Sequence, residues 1–204
     1  MLTLVLGGAR SGKSCYAQSL CDSSSSVIYI ATAHAGEGAN DHEMRERIAR
    51  HRADRPAEWQ TVEEPLDLSQ AVREAPVEAA LLIDCATLWI SNLMWKFRER
   101  PGAEQEKLIL AEVDELIEAV RRRAEKAIAA GAAGEVVIVS NDVGGGLVPE
   151  HPVARAFRDL QGFANQRLAK AADIVVFIIA GLPLRLNQGS RDVNIQRKLW
   201  EAPL

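Results

Sequence analysis

The sequence predicts an α/β fold in which a mostly parallel β-sheet is flanked by helices on both faces. Short apolar runs alternate with longer segments of helical periodicity, and the chain contains neither an internal repeat nor a dividing linker. A length of 204 residues suits one domain with a sizeable core. We therefore expect a single domain over residues 1–204.

The apolar runs predict six strands: Leu2–Leu6, Val27–Ile30, Trp59–Val62, Val77–Ile83, Glu135–Ser140 and Ile174–Ala180. The run Val77–Ile83 is nearly continuous, which is typical of a strand buried on both faces of a parallel sheet. The helical patterns lie between these runs, at residues 15–20, 41–54, 66–73, 86–97, 104–130 and 151–172. Strand and helix therefore alternate along the whole chain.

Composition excludes several classes of protein. The net charge of −4 offers no electrostatic footprint for nucleic acid, and no basic run suggests a membrane surface. No apolar stretch is long enough to span a bilayer, and Met1–Leu6 leads straight into a loop, so it does not resemble a signal peptide. The three cysteines lack metal-ligand spacing. We expect a protein of a reduced, cytoplasmic compartment.

The segment between the first strand and the first helix has the pattern of a phosphate-binding loop. It consists of Gly7, Gly8, Ala9, Arg10, Ser11, Gly12, Lys13 and Ser14. Gly7 and Gly12 let the backbone turn and aim N–H groups at phosphate oxygens, beside the positive end of a helix. Lys13 can reach the terminal phosphates, and the Ser14 hydroxyl can hold Mg²⁺. The alternative is that this segment is only a turn of small residues that links the strand to the helix. The pattern predicts a nucleoside triphosphate site and a P-loop NTPase fold, of the three-layer, RecA-like type.

Asp84 follows an apolar strand, at the end of the strand where ligands bind in open α/β sheets. A carboxylate at this position can hold Mg²⁺ beside Ser14. The alternative is that Asp84 caps the helix that follows. We favour the metal role because a phosphate loop is predicted in the same sheet.

His51 lies in the predicted helix Asp41–Asp54, on a face that it shares with apolar residues. Its neutral imidazole is a competent nucleophile near neutral pH, and attack on the α-phosphorus of a nucleotide would form a phosphoramidate. Arg47, Arg52 and Arg55 flank it and could hold phosphates. A packed, structural histidine is the alternative, and the helix pattern alone leaves both open.

Two further segments could contact a nucleotide or substrate. Glu63 and Glu64 follow a predicted strand, and a carboxylate there could accept hydrogen bonds from guanine, although a solvated turn is the default. The run Gly144–Gly146 could leave room for substrate or simply turn the chain.

The chain closely resembles the bifunctional adenosylcobinamide kinase / adenosylcobinamide-phosphate guanylyltransferase family of cobalamin biosynthesis. The resemblance spans most of residues 1–186, through the segments GGARSGKS, YIATA, EMRERIARHRADRPAEW, TVEEPLDL, LLIDCATLWISNLM, SNDVGGGLVPE and RAFRDLQGFANQRLAKAAD. It implies phosphorylation of the aminopropanol hydroxyl of adenosylcobinamide by ATP or GTP. It also implies transfer of GMP from GTP onto adenosylcobinamide phosphate through a guanylylated histidine.

The resemblance also implies site residues and an assembly. The histidine of the family's RI-x-x-H pattern falls on His51. The resemblance also implies that three copies of the chain assemble into a homotrimer. The nucleotide contacts fall on Gly7–Ser14, Thr32, Ala33, His34, Arg52, Arg55, Glu63 and Asp84. Two features depart from the pattern: a longer connection from Ala33 to Glu43, and an atypical extension over residues 187–204.

Two other functions are compatible with a phosphate loop. One is a simple small-molecule kinase in which His51 is structural. The other is a nucleotide-dependent switch or binding module. Switch GTPases usually read guanine with Asn-Lys-x-Asp, whereas the comparable segment here, Asn141–Gly144, lacks the lysine.

Overall fold

The computed structural model describes residues 1–33 and 56–187. Within these ranges seven strands form one sheet: β1 (Leu2–Gly7), β2 (Val27–Ala31), β3 (Gln60–Glu63), β4 (Ala80–Asp84), β5 (Val136–Asn141), β6 (Ile174–Ile179) and β7 (Leu182–Arg185). The helices are α1 (Lys13–Cys21), α2 (Leu68–Glu74), α3 (Ala86–Lys96), α4 (Gly102–Ala130) and α5 (Pro152–Ala171). No helix in these ranges is long and apolar enough to cross a membrane.

The strand order is β3-β2-β4-β5-β1-β6-β7. All neighbouring strands are parallel except β7, which runs antiparallel to β6. The predicted α/β fold with a mostly parallel sheet is therefore confirmed. Because β5 lies between β1 and β4, the strand that precedes the phosphate loop is two positions away from the strand that ends in Asp84.

The sheet is covered on both faces, which makes the described part of the chain a three-layer structure. Alternate residues of each buried strand enter two separate cores. Val5, Tyr29 and Val139 pack with α1 on one face. Leu4 and Ile138 pack on the other face against apolar side chains of α2, α3, α4 and α5. This alternation explains why the central strands are apolar on both sides.

The boundaries differ from the predicted ones in several places, two of which have a clear local cause. Helix α1 begins at Lys13, two residues before the predicted start, because Gly12 caps it in a left-handed conformation. Strand β4 begins only at Ala80, because a turn in which the Ala79 amide donates to the Pro76 carbonyl precedes it. The predicted helix 41–54 lies outside the described residues, and so does the extension beyond Asn187.

The sequence predicts Ile174–Ala180 as the last core strand and no strand after it. The chain turns back at Ala180 and Gly181 and forms β7. Both turn residues have positive φ angles, 52° and 81°. This is the backbone geometry of the two-residue turns that join antiparallel strands.

Arg123 of α4 ties that helix to the turn that follows α2. The side chain is buried, with 3% of its surface exposed. Its guanidinium donates to the carbonyl oxygens of Ala75, Pro76 and Ala79, at 2.6–2.7 Å. These bonds join α4 to the turn after α2, and the Ala79 carbonyl that one of them satisfies is buried, so we expect Arg123 to stabilise the fold.

Candidate active site

The loop Gly7–Ser14 joins the carboxyl end of β1 to the first turn of α1. Gly7 and Gly12 have positive φ angles of 153° and 96°. A Cβ atom on Gly7 would lie 2.5 Å from the carbonyl oxygen of Ile178, so only glycine fits there. Lys13 is 6% exposed, and its Nζ donates to the Gly8 carbonyl at 2.6 Å. The loop and its lysine thus lie against the positive end of a helix, an arrangement that can bind phosphate.

The turn between β6 and β7 supports this loop from behind. The Gly181 amide donates to the Ser11 carbonyl at 2.9 Å. A Cβ atom on Gly12 would lie 3.3 Å from the Gly181 Cα atom, which shows how closely the two backbones approach. The loop is therefore held between its own helix and an antiparallel hairpin.

The parallel strands end at one edge of the sheet, where several of the predicted site residues that the structure describes lie. Gly7, Glu63, Asp84 and Asn141 each end a strand, and all four strands run in the same direction. Thr32 follows β2 at the same edge. Because adjacent strands lie about 4.8 Å apart, the strand of Glu63 is roughly 19 Å across the sheet from the strand of Gly7. A ligand that touches both residues must lie along the edge.

Asp84 is half-buried and lies on the same face of the sheet as α1. Its Oδ2 accepts a hydrogen bond of 2.8 Å from the hydroxyl of Tyr29, a residue of that face. The following helix has Cys85 at its N-cap and no side-chain capping bond. The structure therefore gives no support to the alternative in which Asp84 caps this helix.

Thr32 has a structural role that its position in the sequence did not reveal. The side chain is fully buried, and its hydroxyl both accepts from the Cys85 amide and donates to the Cys85 carbonyl, each at 2.8 Å. Asn92 of α3 donates to the Thr32 carbonyl at 2.9 Å and to the Pro65 carbonyl at 3.0 Å. Because the hydroxyl is committed to Cys85, a nucleotide contact in this turn has to come from backbone groups or from Ala33.

Glu64 and Glu63 differ in their surroundings. Glu64 Oε1 accepts from the amides of Leu66 and Asp67, at 2.9 and 2.8 Å. Glu64 thus organises the turn before α2, as the default interpretation of this segment proposed. Glu63 is exposed at the end of β3. The remaining predicted site residues, His34, His51, Arg52 and Arg55, lie outside the described residues.

The cysteines within the described ranges are free thiols. Burial raises the pKa of Cys21 to about 12. Burial and the Asp84 carboxylate raise the pKa of Cys85 to about 11. A thiol that stays protonated at neutral pH is a poor nucleophile, so Cys85 does not contribute nucleophilic chemistry to this edge.

The sequence interpretation missed a cluster of polar side chains behind the end of β5. Ser140 Oγ donates to Asn165 Oδ1 at 2.6 Å, and Gln161 Nε2 donates to both of these oxygens at 2.9 Å. Asn165 Nδ2 donates to the Asn141 carbonyl at 3.0 Å. The available signal was the spacing of Gln161 and Asn165, which puts two amides on one face of a helix.

Comparison with known proteins decides the family. The family model described as "Cobinamide kinase / cobinamide phosphate guanyltransferase" (CobU) matches residues 3–186. The chain belongs to this family. The match begins in β1, ends one residue after β7, and includes both the phosphate loop and the segment that contains His51. The chain is thus an enzyme of a family named for a kinase and a guanyltransferase activity.

Three curated relatives each match 91% of this chain, and each match covers nearly the whole length of the relative. The bifunctional adenosylcobalamin biosynthesis protein CobP of Pseudomonas aeruginosa is 41% identical over 191 residues, which is 97% of its length. The bifunctional adenosylcobalamin biosynthesis proteins CobU of Salmonella typhimurium and Escherichia coli are 39% and 37% identical, each over 99% of its length. The family resemblance inferred from the sequence motifs is confirmed.

Proposed function

We propose that the protein phosphorylates the aminopropanol hydroxyl of adenosylcobinamide with ATP or GTP. It then transfers GMP from GTP to adenosylcobinamide phosphate and releases pyrophosphate. One observation carries this proposal: a phosphate loop of suitable geometry stands at the carboxyl edge of the sheet, in a chain that belongs to the CobU family.

In the kinase step the loop Gly7–Ser14 binds the phosphates with its backbone N–H groups. Lys13, which donates to the Gly8 carbonyl in the structure, turns its ammonium group to the terminal phosphates. The acceptor hydroxyl forms a bond to the terminal phosphorus while the bond to the bridging oxygen breaks. The nucleoside diphosphate departs with that electron pair, and the hydroxyl proton passes to solvent.

Ser14 and Asp84 would hold Mg²⁺. A hydroxyl and a carboxylate are the oxygen ligands that this ion prefers, and it usually keeps water and phosphate oxygens in its remaining positions. No group of three or more His, Cys, Asp or Glu residues that could hold a metal occurs in ranges 1–33 and 56–187, which fits an ion bound by few protein ligands. When bound, Mg²⁺ would neutralise charge on the phosphates.

In the guanylyl transfer His51 is the nucleophile. An imidazole nitrogen forms a bond to the α-phosphorus of GTP, the bond to the bridging oxygen breaks, and pyrophosphate leaves. A phosphate oxygen of adenosylcobinamide phosphate then attacks the same phosphorus and releases the histidine. Arg52, Arg55 and His34 would contact the nucleotide, Glu63 would read the guanine base, and Thr32 and Ala33 would contribute through their turn.

The organisation of the protein completes the proposal. One nucleotide-binding domain spans residues 1–204, with 187–204 as an extension, and three copies form a homotrimer. The enzyme acts in the cytoplasm on small molecules, and neither nucleic acid nor a membrane is a partner. The net charge of −4 supports the exclusion of nucleic acid.

Labelling with GTP that carries radioactive phosphorus at its α-position tests the covalent step. We expect acid-labile, base-stable label on the unmodified enzyme and on the control His151→Ala, whose histidine is exposed at the start of α5. His51→Ala should carry no label and should still phosphorylate adenosylcobinamide. ATP labelled in the same way should leave the protein unlabelled.

Three results would contradict the proposal. Label that survives in His51→Ala would move the nucleophile to another residue. Absence of label on the active, unmodified enzyme would reduce the protein to a simple small-molecule kinase. Negligible turnover even with adenosylcobinamide would favour a nucleotide-dependent binding module.

A further inference from the structure

Asn141 occupies the position between the phosphate loop and the strand of Asp84. Strand β5 is hydrogen-bonded to β1 on one side and to β4 on the other. Asn141 is the register partner of Gly7, and the amide of the next residue donates to the Gly7 carbonyl at 3.0 Å. Asn141 therefore ends its strand directly beside the start of the loop.

The alternation of β5 directs Asn141 to the face that carries the loop. Val137 and Val139 belong to the core beneath α1, whereas Ser140 contacts α5 on the opposite face. Asn141 follows the valines at two-residue spacing, so its side chain lies on the α1 face together with Asp84. A neutral hydrogen-bond donor thus stands on the face where the loop would place a triphosphate.

The backbone of Asn141 is held by side chains from two helices. Its amide donates to Thr87 Oγ1 of α3 at 2.7 Å, and its carbonyl accepts from Asn165 Nδ2 of α5. Gln161 and Ser140 orient Asn165 by donating to its Oδ1. The Asn141 carboxamide itself makes no hydrogen bond with any residue in ranges 1–33 and 56–187.

Hydrogen bonds thus hold the Asn141 backbone in place, while its side-chain N–H groups have no partner among the described residues. Burying the polar side chains of Ser140 and Gln161 costs free energy even when they form hydrogen bonds, and an apolar residue in place of the Gln161 amide would pack without that cost. Gln161 is fully buried, and its Oε1 has no hydrogen-bond partner in the described part of the chain. A free-energy cost of this kind is typical of a site that needs a fixed geometry, because a fixed hydrogen-bond donor stabilises developing charge without reorganising.

We propose that the Asn141 carboxamide donates to an oxygen of the terminal phosphate in the kinase step, and that Asn165 and Gln161 are positioning residues for it. This inference rests on the proposed kinase function. The bonds formed and broken are those given above for the transfer to the acceptor hydroxyl. Asn141 contributes a hydrogen bond that strengthens as charge develops on the oxygens of the transferred group, and it exchanges no proton.

The test compares Asn141→Ala, Asn165→Asp and the double variant. In Asn165→Asp the acceptor for Ser140 and Gln161 is retained, and the donor to the Asn141 carbonyl is replaced by a carboxylate oxygen, which cannot donate. Gln166→Ala, an exposed residue beside Asn165 on the same helix, is the control. For each variant we would measure kcat and KM for adenosylcobinamide phosphorylation, the Kd for nucleotide, and the thermal midpoint.

We expect Asn141→Ala to lower kcat about 100-fold, which is the usual effect of removing one fixed donor, while the Kd for nucleotide changes less than about threefold. Asn165→Asp should lower kcat about tenfold, because it acts only through Asn141. The double variant should be no slower than Asn141→Ala, since two residues that act through one contact are not additive. The control should match the unmodified enzyme.

The inference is overturned if Asn141→Ala keeps its kcat, or if the effects of the two substitutions multiply in the double variant. An enzyme that fails to phosphorylate adenosylcobinamide would refute the proposed function instead. In that case basal hydrolysis of GTP still tests the inference, because the same donor would contact the same phosphate. A structural role alone would lower the thermal midpoint without changing kcat in the folded protein.

Discussion

A methyl group has no space on Gly7 in the folded loop, whereas it has space on the neighbouring Gly8. A Cβ atom on Gly7 would lie 2.5 Å from the Ile178 carbonyl oxygen and 2.8 Å from Ser11 Oγ. The φ angle of 153° is also one that side chains rarely adopt. A Cβ atom on Gly8 meets nothing within 4 Å, and its φ angle is not positive. Gly7→Ala and Gly8→Ala therefore make the same chemical change in opposite surroundings.

The two substitutions should differ by several kcal/mol in the free energy of unfolding. Overpacking against the backbone at Gly7 costs about 1–3 kcal/mol, and the rare backbone conformation costs about 1–3 kcal/mol more. We thus expect Gly7→Ala to lose about 2–6 kcal/mol. Gly8→Ala should be unchanged or gain up to about 1 kcal/mol, because the methyl group restricts the unfolded chain.

Urea denaturation measures both free energies, from a shift of the midpoint at constant slope. For a domain of this size the thermal midpoint of Gly7→Ala should fall by roughly 5–20 °C. Equal losses in both variants would show that the loop responds to any added methyl group. A loss below about 0.5 kcal/mol in Gly7→Ala, within the range of ordinary surface substitutions, would refute the close packing of the loop against β6.

Three further predictions concern the core and the thiols. Arg123→Met should lower the free energy of unfolding by about 2–4 kcal/mol, because the Ala75, Pro76 and Ala79 carbonyls lose their bonds to the guanidinium. The exposed Arg122→Met should change it by less than about 0.5 kcal/mol in urea denaturation. Equal effects would contradict the bonding of Arg123. A disulfide reagent at pH 8 should modify one thiol per folded chain, the exposed Cys15, and all three after unfolding. Burial raises the pKa of Cys21 to about 12 and that of Cys85 to about 11, above the ordinary value of 9.0. As the pH rises, the unfolded chain therefore loses these protons before the folded chain does. The free energy of unfolding measured in urea should thus fall from pH 9 upward.

Local patterns predicted the features that depend on neighbouring residues in the sequence. The alternation of strands and helices and the loop Gly7–Ser14 are of this kind. The strand order is not local, because it depends on which crossover connections pack together, so the position of β5 between β1 and β4 had no signal. Gln161 and Asn165 look like the polar side of an amphipathic helix until α5 is placed over the end of β5. Strand β7 was missed because all four of its residues are exposed and no buried alternation marks them.

The hairpin of β6 and β7 supports the predicted phosphate loop and is not the start of the C-terminal extension. Backbone N–H groups bind phosphate well only if they already point at it, so a glycine-rich loop needs external support. The Gly181 amide bonds to the Ser11 carbonyl, and the tight turn that places it there requires a strand that runs back along β6. The family match ends at residue 186, one residue after that strand. The stretch that matches the family thus includes the exposed antiparallel strand, whose turn supports the loop although the strand itself adds little to the core.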